Sequence, residues 1–366
     1  MKSTPKILLF FLFLAYTATI AAQETKKVLN VDDYDRWSRI TSVELSDNGS
    51  WMSYAYSPID GDDTLYIKNT SSGKVYSDEY CTNPEFSNDS KWVIYKRQIQ
   101  DKKAKKLRKS KKPVYAKGVL LDLESGEKTE WDKADEIEFS PGSDFVVIKK
   151  EKGKDKKGGA DLLLKNLSRG TLMNIGNVDD YKFNKKGTYL AYTVNAEDNA
   201  GNGLYLMDLQ NSKLIALDTD TLLYSKLTWD DEMLYDEERG QKGTAIAVLK
   251  GNKPDSVEQR INKLLVFSNI NKADRESLVY DPATDNDFPG DYVLSEMGKL
   301  AFSLDNKRMM IAIKEQEKVQ KMSRDTIPNV DVWHWDDEQI QSVQKVRNRY
   351  TSRSTYDAIL HLDKLS

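Results

Sequence analysis

The chain has 366 residues, and its 55 Lys and Arg against 58 Asp and Glu give a formal net charge of −3. A charge so near zero argues against nucleic acid or acidic polymers as partners. The 19 Tyr, 10 Phe and 7 Trp residues exclude the aromatic-poor disordered class and favour an ordered chain rich in β-structure.

Residues 1–22 have the three regions of a secretory signal peptide. Lys2 and Lys6 precede an apolar run over residues 7–16, and small residues lead to Ala21 and Ala22. The run is short for a membrane span and no stop-transfer segment follows it. We therefore expect cleavage near residue 22, a periplasmic or secreted protein, and no membrane span after removal; an uncleaved anchor is the alternative.

Residues 23–42 form an N-terminal segment in which a short helix is predicted. Asp32 is a candidate N-cap, and Tyr34, Trp37 and Ile40 follow at a spacing that suits an amphipathic helix. Further on, Cys81 is the one cysteine of the chain, so no internal disulfide can form. We expect Cys81 to be a buried small hydrophobe rather than a reactive thiol.

A hairpin pattern then recurs: an aromatic or aliphatic anchor, a polar turn with Asn, Asp or Gly, and an alternating strand. Clear copies span residues 43–56, 85–95, 137–148, 181–194 and 300–313, and a weaker copy spans 234–248. Counted from the residue after the anchor, the units begin at Ser46, Ser87, Ser140, Asn184, Asp236 and Ser303. The anchors Phe139, Phe183 and Phe302 are predicted to be buried between neighbouring units.

A second hairpin follows the first in most units, with strands predicted at residues 64–69, 118–123, 161–166 and 203–209. Two hairpins make four strands, and four-stranded sheets repeated along a chain are typical of a β-propeller. The prediction is an all-β fold over residues 43–366 with about six blades and a partial one. An open two-sheet sandwich is the alternative, although it does not require such even repetition.

The segments between these strands carry less information. Two basic runs, at residues 102–112 and 149–157, are expected to be solvated loops; the alternative is an electrostatic footprint for a polyanion. Residues 256–265 are predicted to form a short helix and residues 314–328 a polar loop.

The motifs of known chemistry are missing from the sequence. It has no Gly-x-Ser-x-Gly elbow, no glycine-rich phosphate loop and no paired metal-ligand motif, so no catalytic, cofactor-binding or metal residue is predicted. His334 and His361 are the two histidines, and each is expected to be a surface or packed strand histidine; the alternative is the base of a catalytic triad. Glu237 and Glu238 are the weak substrate-binding candidates, because two carboxylates can hold one ammonium group. They fall where other units have a turn, and turn chemistry is the favoured interpretation.

Three features together resemble secreted or periplasmic bacterial members of the prolyl oligopeptidase family of serine peptidases. They are the opening at residues 32–37 (DDYDRW), the turns of the Phe-Ser-x-Asp-Gly type, and the predicted alternating strand at residues 331–335 (DVWHW). The resemblance implies an N-terminal β-propeller that caps an α/β-hydrolase domain, restricts access to peptides and in some members grips the substrate amine. The hydrolase region has no counterpart here, so we expect a chain that ends in mid-blade, and no catalytic residue is carried over.

Two functions follow as hypotheses. The first is a non-catalytic propeller that caps and gates a secreted oligopeptidase or dipeptidyl-peptidase-like protein and is inactive alone, with peptides as partners when it is joined to a hydrolase domain. The alternative is a stand-alone envelope propeller that binds a protein or a glycan. If the propeller is incomplete, residues 356–362 form an exposed edge, and self-association through open edges is expected.

Overall fold

The computed structural model describes residues 28–59, 61–153, 157–232, 243–319 and 333–364. Its strands form antiparallel sheets in which most strands pair with a strand that is adjacent in the sequence, and we call each repeated four-stranded unit a blade. Blade 1 comprises β1 (Ser38–Leu45), β2 (Trp51–Pro58), β3 (Thr64–Asn69) and β4 (Val75–Glu79). Blade 2 comprises β5 (Cys81–Phe86), β6 (Trp92–Arg97), β7 (Lys117–Asp122) and β8 (Lys128–Asp132).

Blades 3 and 4 share one long strand. Blade 3 comprises β9 (Ala134–Phe139), β10 (Phe145–Lys150), β11 (Ala160–Asn166) and the first part of β12 (Leu172–Phe183). Blade 4 comprises the second part of β12 followed by β13 (Tyr189–Val194), β14 (Gly203–Asp208) and β15 (Lys213–Thr219). The first part of β12 pairs with β11 and its second part pairs with β13, and the pairing register shifts between Val178 and Tyr181. The same strand is therefore the last strand of blade 3 and the first strand of blade 4.

The last two blades complete the described architecture. Blade 5 comprises β16 (Leu223–Trp229), β17 (Ile246–Asn252), β18 (Ile261–Ser268) and β19 (Glu276–Tyr280). Blade 6 comprises β20 (Tyr292–Leu294), β21 (Ala301–Phe302), β22 (Arg308–Glu315) and β23 (Tyr356–His361). Since β20 and β21 pair with the two ends of β22, they act together as one interrupted first strand. Two α-helices are described, α1 (Asp101–Lys109) between β6 and β7, and α2 (Gln341–Thr351) before β23.

A polar residue directly after the anchor organises the first hairpin of most blades. In blade 2, the Ser87 hydroxyl accepts a hydrogen bond from the Trp92 backbone N–H at 2.9 Å and donates to Asp89 at 2.6 Å. Ser46, Ser140 and Ser303 accept the corresponding N–H in blades 1, 3 and 6, and Asn184 does so in blade 4. The polar residue thus satisfies a turn N–H that would otherwise be buried without a partner.

The hydrophobic core is divided among the junctions between neighbouring blades. Five clusters of buried side chains are described, one at each junction from blades 1–2 to blades 5–6. Strand β6 shows how a blade serves two of them: Val93 and Tyr95 pack towards blade 1, whereas Ile94 packs towards blade 3. This period-two alternation makes each blade apolar on both faces and stacks the blades in a row.

The structure is therefore all-β and propeller-like, as the repeats predict, but its sheets are not closed. No described strand of blade 1 is hydrogen-bonded to a described strand of blade 6. The predicted burial of the anchors is confirmed for Phe139 (8% exposed) and Phe302 (6%), and Phe183 is half-buried against the blade 3–4 cluster. Cys81 is fully buried, as expected.

Four local predictions were wrong or only partly right. The helix predicted at residues 256–265 is absent, since Ile261–Ser268 is strand β18. The basic run at residues 102–112 is largely helix α1 rather than a loop, because its Lys- and Arg-rich sequence has high helix propensity and Ala104 packs inward. The predicted N-terminal helix is a 3₁₀ turn at Val31–Arg36, and Ile40 belongs to β1.

The strand predicted at residues 331–335 is also wrong for the three of these residues that the structure describes. Residues 331 and 332 lie outside the described residues, and Trp333, His334 and Trp335 lie in an exposed turn. In the fifth repeat, the strand before the turn is β16, and Asp230 follows its anchor Trp229; Asp236, the predicted start of this repeat, lies outside the described residues. The predicted signal peptide also lies outside the described residues, and in the part of the chain that is described no helix is long and apolar enough to cross a membrane.

Candidate ligand-binding recess

The first strands of the blades converge on the inner side of the row. Strands β1 and β5 pack together, as do β12 and β16, and β16 and β21. Against blades 2, 3 and 4 this inner side forms an open recess with a volume of about 790 Å³. The inner recess is the largest of the cavities described for this chain and is lined mainly by charged side chains.

Three consecutive blades place a glutamate at the same register position. Glu44, Glu85 and Glu138 each stand immediately before the anchor residue, two residues ahead of the turn serine. The strand pairing confirms that the three positions are equivalent. Their cross-strand partners are Ser53, Ile94 and Val147, and each partner is the third residue of its strand. Glu85 and Glu138 line the recess directly.

The same position changes its charge at blade 4, where it is occupied by Lys182. Its ammonium group lies 2.9 Å from the carboxylate of Glu232, which follows β16. Because Lys182 is held by Glu232, its charge is compensated locally and does not neutralise Glu85 or Glu138. The Trp229 backbone N–H also donates to Glu232 at 2.8 Å, which fixes the position of that carboxylate.

Tyr181 and Lys149 shape the floor beside the glutamates. The Tyr181 hydroxyl donates to Glu136 at 3.0 Å, and the Lys149 ammonium lies 5.7 Å from the centre of the Tyr181 ring. Lys149 also donates to the backbone carbonyl of Asp179 at 2.7 Å. These contacts orient Lys149 towards β12, and Lys185 lines the recess together with the carboxylates.

The carboxylates in and beside the recess hold their protons more tightly than exposed ones do. Burial raises the pKa of Glu85, and the neighbouring charges of Glu44 and Glu138 raise it further. Burial also raises the pKa of Glu138, with a smaller upward contribution from Glu136, while the hydrogen bond from Tyr181 opposes the rise. The pKa of Asp180 is raised by burial against the opposing charges of Lys182 and Lys149. Crowded like charges of this kind are relieved by a bound cation.

The charged side chains of the recess can bind a ligand of opposite charge. Among the described residues, no three His, Cys, Asp or Glu side chains are grouped so as to hold a metal ion. No serine or cysteine lies in the recess beside a histidine, since the structure places both histidines elsewhere. An ammonium or guanidinium group of a ligand is the chemistry that Glu85 and Glu138 can recognise, through charge-assisted hydrogen bonds.

The residues singled out in the sequence do not form this site. Glu237 and Glu238 lie outside the described residues, in the connection between β16 and β17. His334 is exposed, and its Nδ1 accepts a hydrogen bond from the Asp336 N–H at 3.2 Å. His361 ends β23, with Nδ1 4.0 Å from Asp363. The glutamate row was missed, although a signal for it exists two residues before Ser46, Ser87 and Ser140.

Together, the repeated four-stranded sheets and the inner recess define a β-propeller-like protein. No protein-family model matches the chain, and no curated protein sequence matches it either. Among solved structures it is similar to the β-propeller domain of the Trilobed protease from Pyrococcus furiosus, with 11% identity, a TM-score of 0.36, and 79% of this chain and 82% of that chain covered.

Two peptidase structures give similar values. A prolyl endopeptidase is 12% identical with a TM-score of 0.36, over 87% of this chain and 47% of that chain. The acylaminoacyl peptidase of Pyrococcus horikoshii is 10% identical with a TM-score of 0.33, over 79% of this chain and 47% of that chain. The match thus spans about half the length of each peptidase. At these identities and TM-scores, no activity or residue role passes from these proteins to this chain.

Proposed function

We propose that this chain is a non-catalytic, exported propeller that admits and holds peptides for a serine oligopeptidase and is inactive by itself. Its inner recess receives the positively charged group of the peptide, such as the free N-terminal amine. The observation that carries the proposal is the glutamate pair Glu85 and Glu138, set at equivalent positions of two blades in a recess of about 790 Å³. The resemblance of the opening and turn sequences to the prolyl oligopeptidase family supplies the reaction class.

Electrostatics favours this ligand over a neutral or anionic one. Glu85 and Glu138 repel one another and are partly withdrawn from water, so a cation between them relieves both costs at once. Lys182 is already compensated by Glu232 and Lys149 is turned towards β12, so neither competes for the carboxylates. An acidic peptide would instead meet two like charges, which disfavours its entry.

Peptide binding to the purified mature chain tests the recess. We expect an oligopeptide with a free amine to bind, and its N-acetylated form to bind about tenfold or more weakly, since hydrogen bonds to charged groups contribute about 1.5–3 kcal/mol. The variant Glu85→Gln/Glu138→Gln should show the same loss, whereas Glu276→Gln, on the outer strand β19, should bind like the wild type. Equal affinity for the free and acetylated peptides would refute the recess as an amine site.

A second assay tests the gating role independently of the amine site. The reading frame next to this coding sequence should encode a hydrolase with a Gly-x-Ser-x-Gly elbow. Adding that product to this chain should produce peptidase activity that falls steeply with peptide length, because the propeller restricts entry. An unrelated neighbouring frame, or hydrolysis that is indifferent to the propeller, would contradict gating.

One observation favours the alternative of a stand-alone propeller that binds a protein partner. Trp333 and Trp335 are 66% and 89% exposed, in a turn that precedes α2. Exposed indoles are unusual on a surface without a partner, and tryptophan is enriched in the residues that dominate protein interfaces. If Trp335→Ala abolishes retention of an envelope protein while peptide binding is absent, the alternative is the better account.

A further inference from the structure

The five junctions between blades are built from equivalent positions. At each junction, the earlier blade contributes a residue of its third strand, and this residue pairs with the second-strand residue that directly follows the partner of that blade's own anchor. These side chains are Ile67, Leu120, Leu164, Leu206 and Val266. All five are buried, with exposures from 0% to 5%. The later blade contributes the anchor at the end of its first strand, namely Phe86, Phe139, Phe183, Trp229 and Phe302.

The two ends of the row expose the same positions. In blade 6, the residue paired with Met310 is Ile359, and it is 64% exposed where its five equivalents are buried. In blade 1, the anchor position is Leu45, and it is 60% exposed. Met310 is itself 37% exposed, whereas the equivalent residues Ile94 and Ala247 are at most 1% exposed.

More apolar surface surrounds Leu45 on the same side of blade 1. Tyr54, Tyr56 and Tyr66 form a stacked and edge-on cluster with ring centres 5.3–5.7 Å apart. Tyr54 stands at the position that Tyr95 fills in blade 2, where that ring is fully buried against blade 1. An apolar patch of this kind on a protein surface marks an interaction site.

We propose that two copies of this chain associate head to tail, with the outer face of blade 6 of one copy packed on the outer face of blade 1 of the other. The faces are complementary halves of the junction that the chain already forms five times. The outer face of blade 6 carries Met310 and Ile359, which correspond to residues of the earlier blade at an internal junction. The outer face of blade 1 carries Leu45 and Tyr54, which correspond to residues of the later blade at such a junction. Within one chain, these two faces share no junction cluster and no backbone hydrogen bond among the described residues.

This contact is heterologous, because it joins two different faces. Each added copy therefore leaves one free face of each kind, and the assembly either grows or closes into a ring of several copies. The proposal concerns the blade faces and is independent of the peptide site, since the face residues Leu45 and Ile359 do not line the inner recess.

Sedimentation of the mature chain over a range of concentrations tests the association. The wild type should form dimers and larger species, while Leu45→Asp and Ile359→Asp should each remain monomeric when alone. The control Leu214→Asp, at a site 54% exposed on β15, should associate like the wild type. Circular dichroism of each variant confirms that it is folded.

Mixing the two face variants distinguishes head-to-tail contact from every symmetric one. Leu45→Asp retains an intact blade 6 face and Ile359→Asp an intact blade 1 face, so an equimolar mixture should form a 1:1 dimer that grows no further. Association of Leu45→Asp or Ile359→Asp alone would overturn the proposal, as would a mixture that stays monomeric. A wild-type chain that is monomeric up to about 100 µM, where an interface of ordinary size is populated, would also overturn it.

Discussion

Replacing Phe139 by alanine tests whether the junctions between blades provide the stability of the fold. Phe139 ends β9 and is 8% exposed within the cluster between blades 2 and 3, beside Trp131 and Ile148. Burying such a ring contributes about 1.5–3 kcal/mol. The truncation also leaves a cavity, which lowers stability by about 24 cal/mol for each Å³ of its volume. The total loss in the free energy of unfolding should therefore be about 3–5 kcal/mol.

Urea denaturation followed by tryptophan fluorescence provides the assay, because Trp131 lies in the same cluster as Phe139. The matched control is Leu45→Ala, which truncates the equivalent anchor of blade 1, where the side chain is 60% exposed. Measured on monomeric protein, this control should cost less than about 0.5 kcal/mol, as surface substitutions generally do. If Phe139→Ala costs no more than Leu45→Ala, the junctions are not what holds the blades together.

Four further outcomes are expected. Ser87→Ala should lower the free energy of unfolding by about 1–3 kcal/mol in urea denaturation, since the buried Trp92 N–H loses its acceptor; no loss would show that the turn does not depend on this hydroxyl. Cys81, buried and with its pKa raised to about 12, should resist iodoacetamide at pH 8 in the native state and react in urea; rapid native labelling would contradict this. The pKa values of Glu85 and Glu138 are raised in the folded state, so folding takes up protons as the pH falls through them. These two groups therefore increase the stability of the fold as the pH falls. The affinity for a free peptide amine should decrease over the same range, because the protonated carboxyls lose their charge. Titration calorimetry that shows the affinity rising on acidification would refute the site. Finally, the purified chain should not hydrolyse peptide amides, and hydrolysis that persists through purification would show a catalytic site outside the present account.

The repeats could be predicted from the sequence because local chemistry determines them. A turn needs a residue such as Gly49 or Gly187, whose φ values are +70° and +66°, and a polar side chain such as Ser87 to accept the turn N–H. These requirements lie within a dozen residues of one another. The hairpin of β1 and β2 and the strand β3 were found for this reason.

The fifth repeat shows where this local reasoning fails. Its anchor and turn residue are Trp229 and Asp230, and Asp230 accepts hydrogen bonds from the N–H groups of Thr244 and Ala245 across a much longer connection. Because the polar acceptor and the returning strand are about fifteen residues apart, the sequence pattern is stretched. The sequence pattern therefore predicts a match nearer to the returning strand, at residues 234–248, of which residues 234–242 lie outside the described residues.

The alternating tryptophans at residues 333–335 misled for a different reason. Alternation predicts a strand only when one face is buried, and here both Trp333 and Trp335 are exposed. Periodicity alone does not reveal whether a partner sheet exists. Whether the two indoles bind another molecule is a matter of tertiary and quaternary context, which a single sequence does not encode locally.

The residues of the inner recess are harder to predict from the sequence than the repeats that carry them. In blades 2 to 6, the anchor must fill a junction, so its identity is confined to large apolar residues such as Phe86 and Trp229. The residue before the anchor lies on the opposite face of the strand, and where it borders the recess its identity differs from blade to blade. It is glutamate at position 85 and lysine at position 182, and this variation produces the uneven charge around the recess. The position before the anchor, which aligns between blades when the repeats are matched by their turns, is therefore where blades of one fold come to differ in charge.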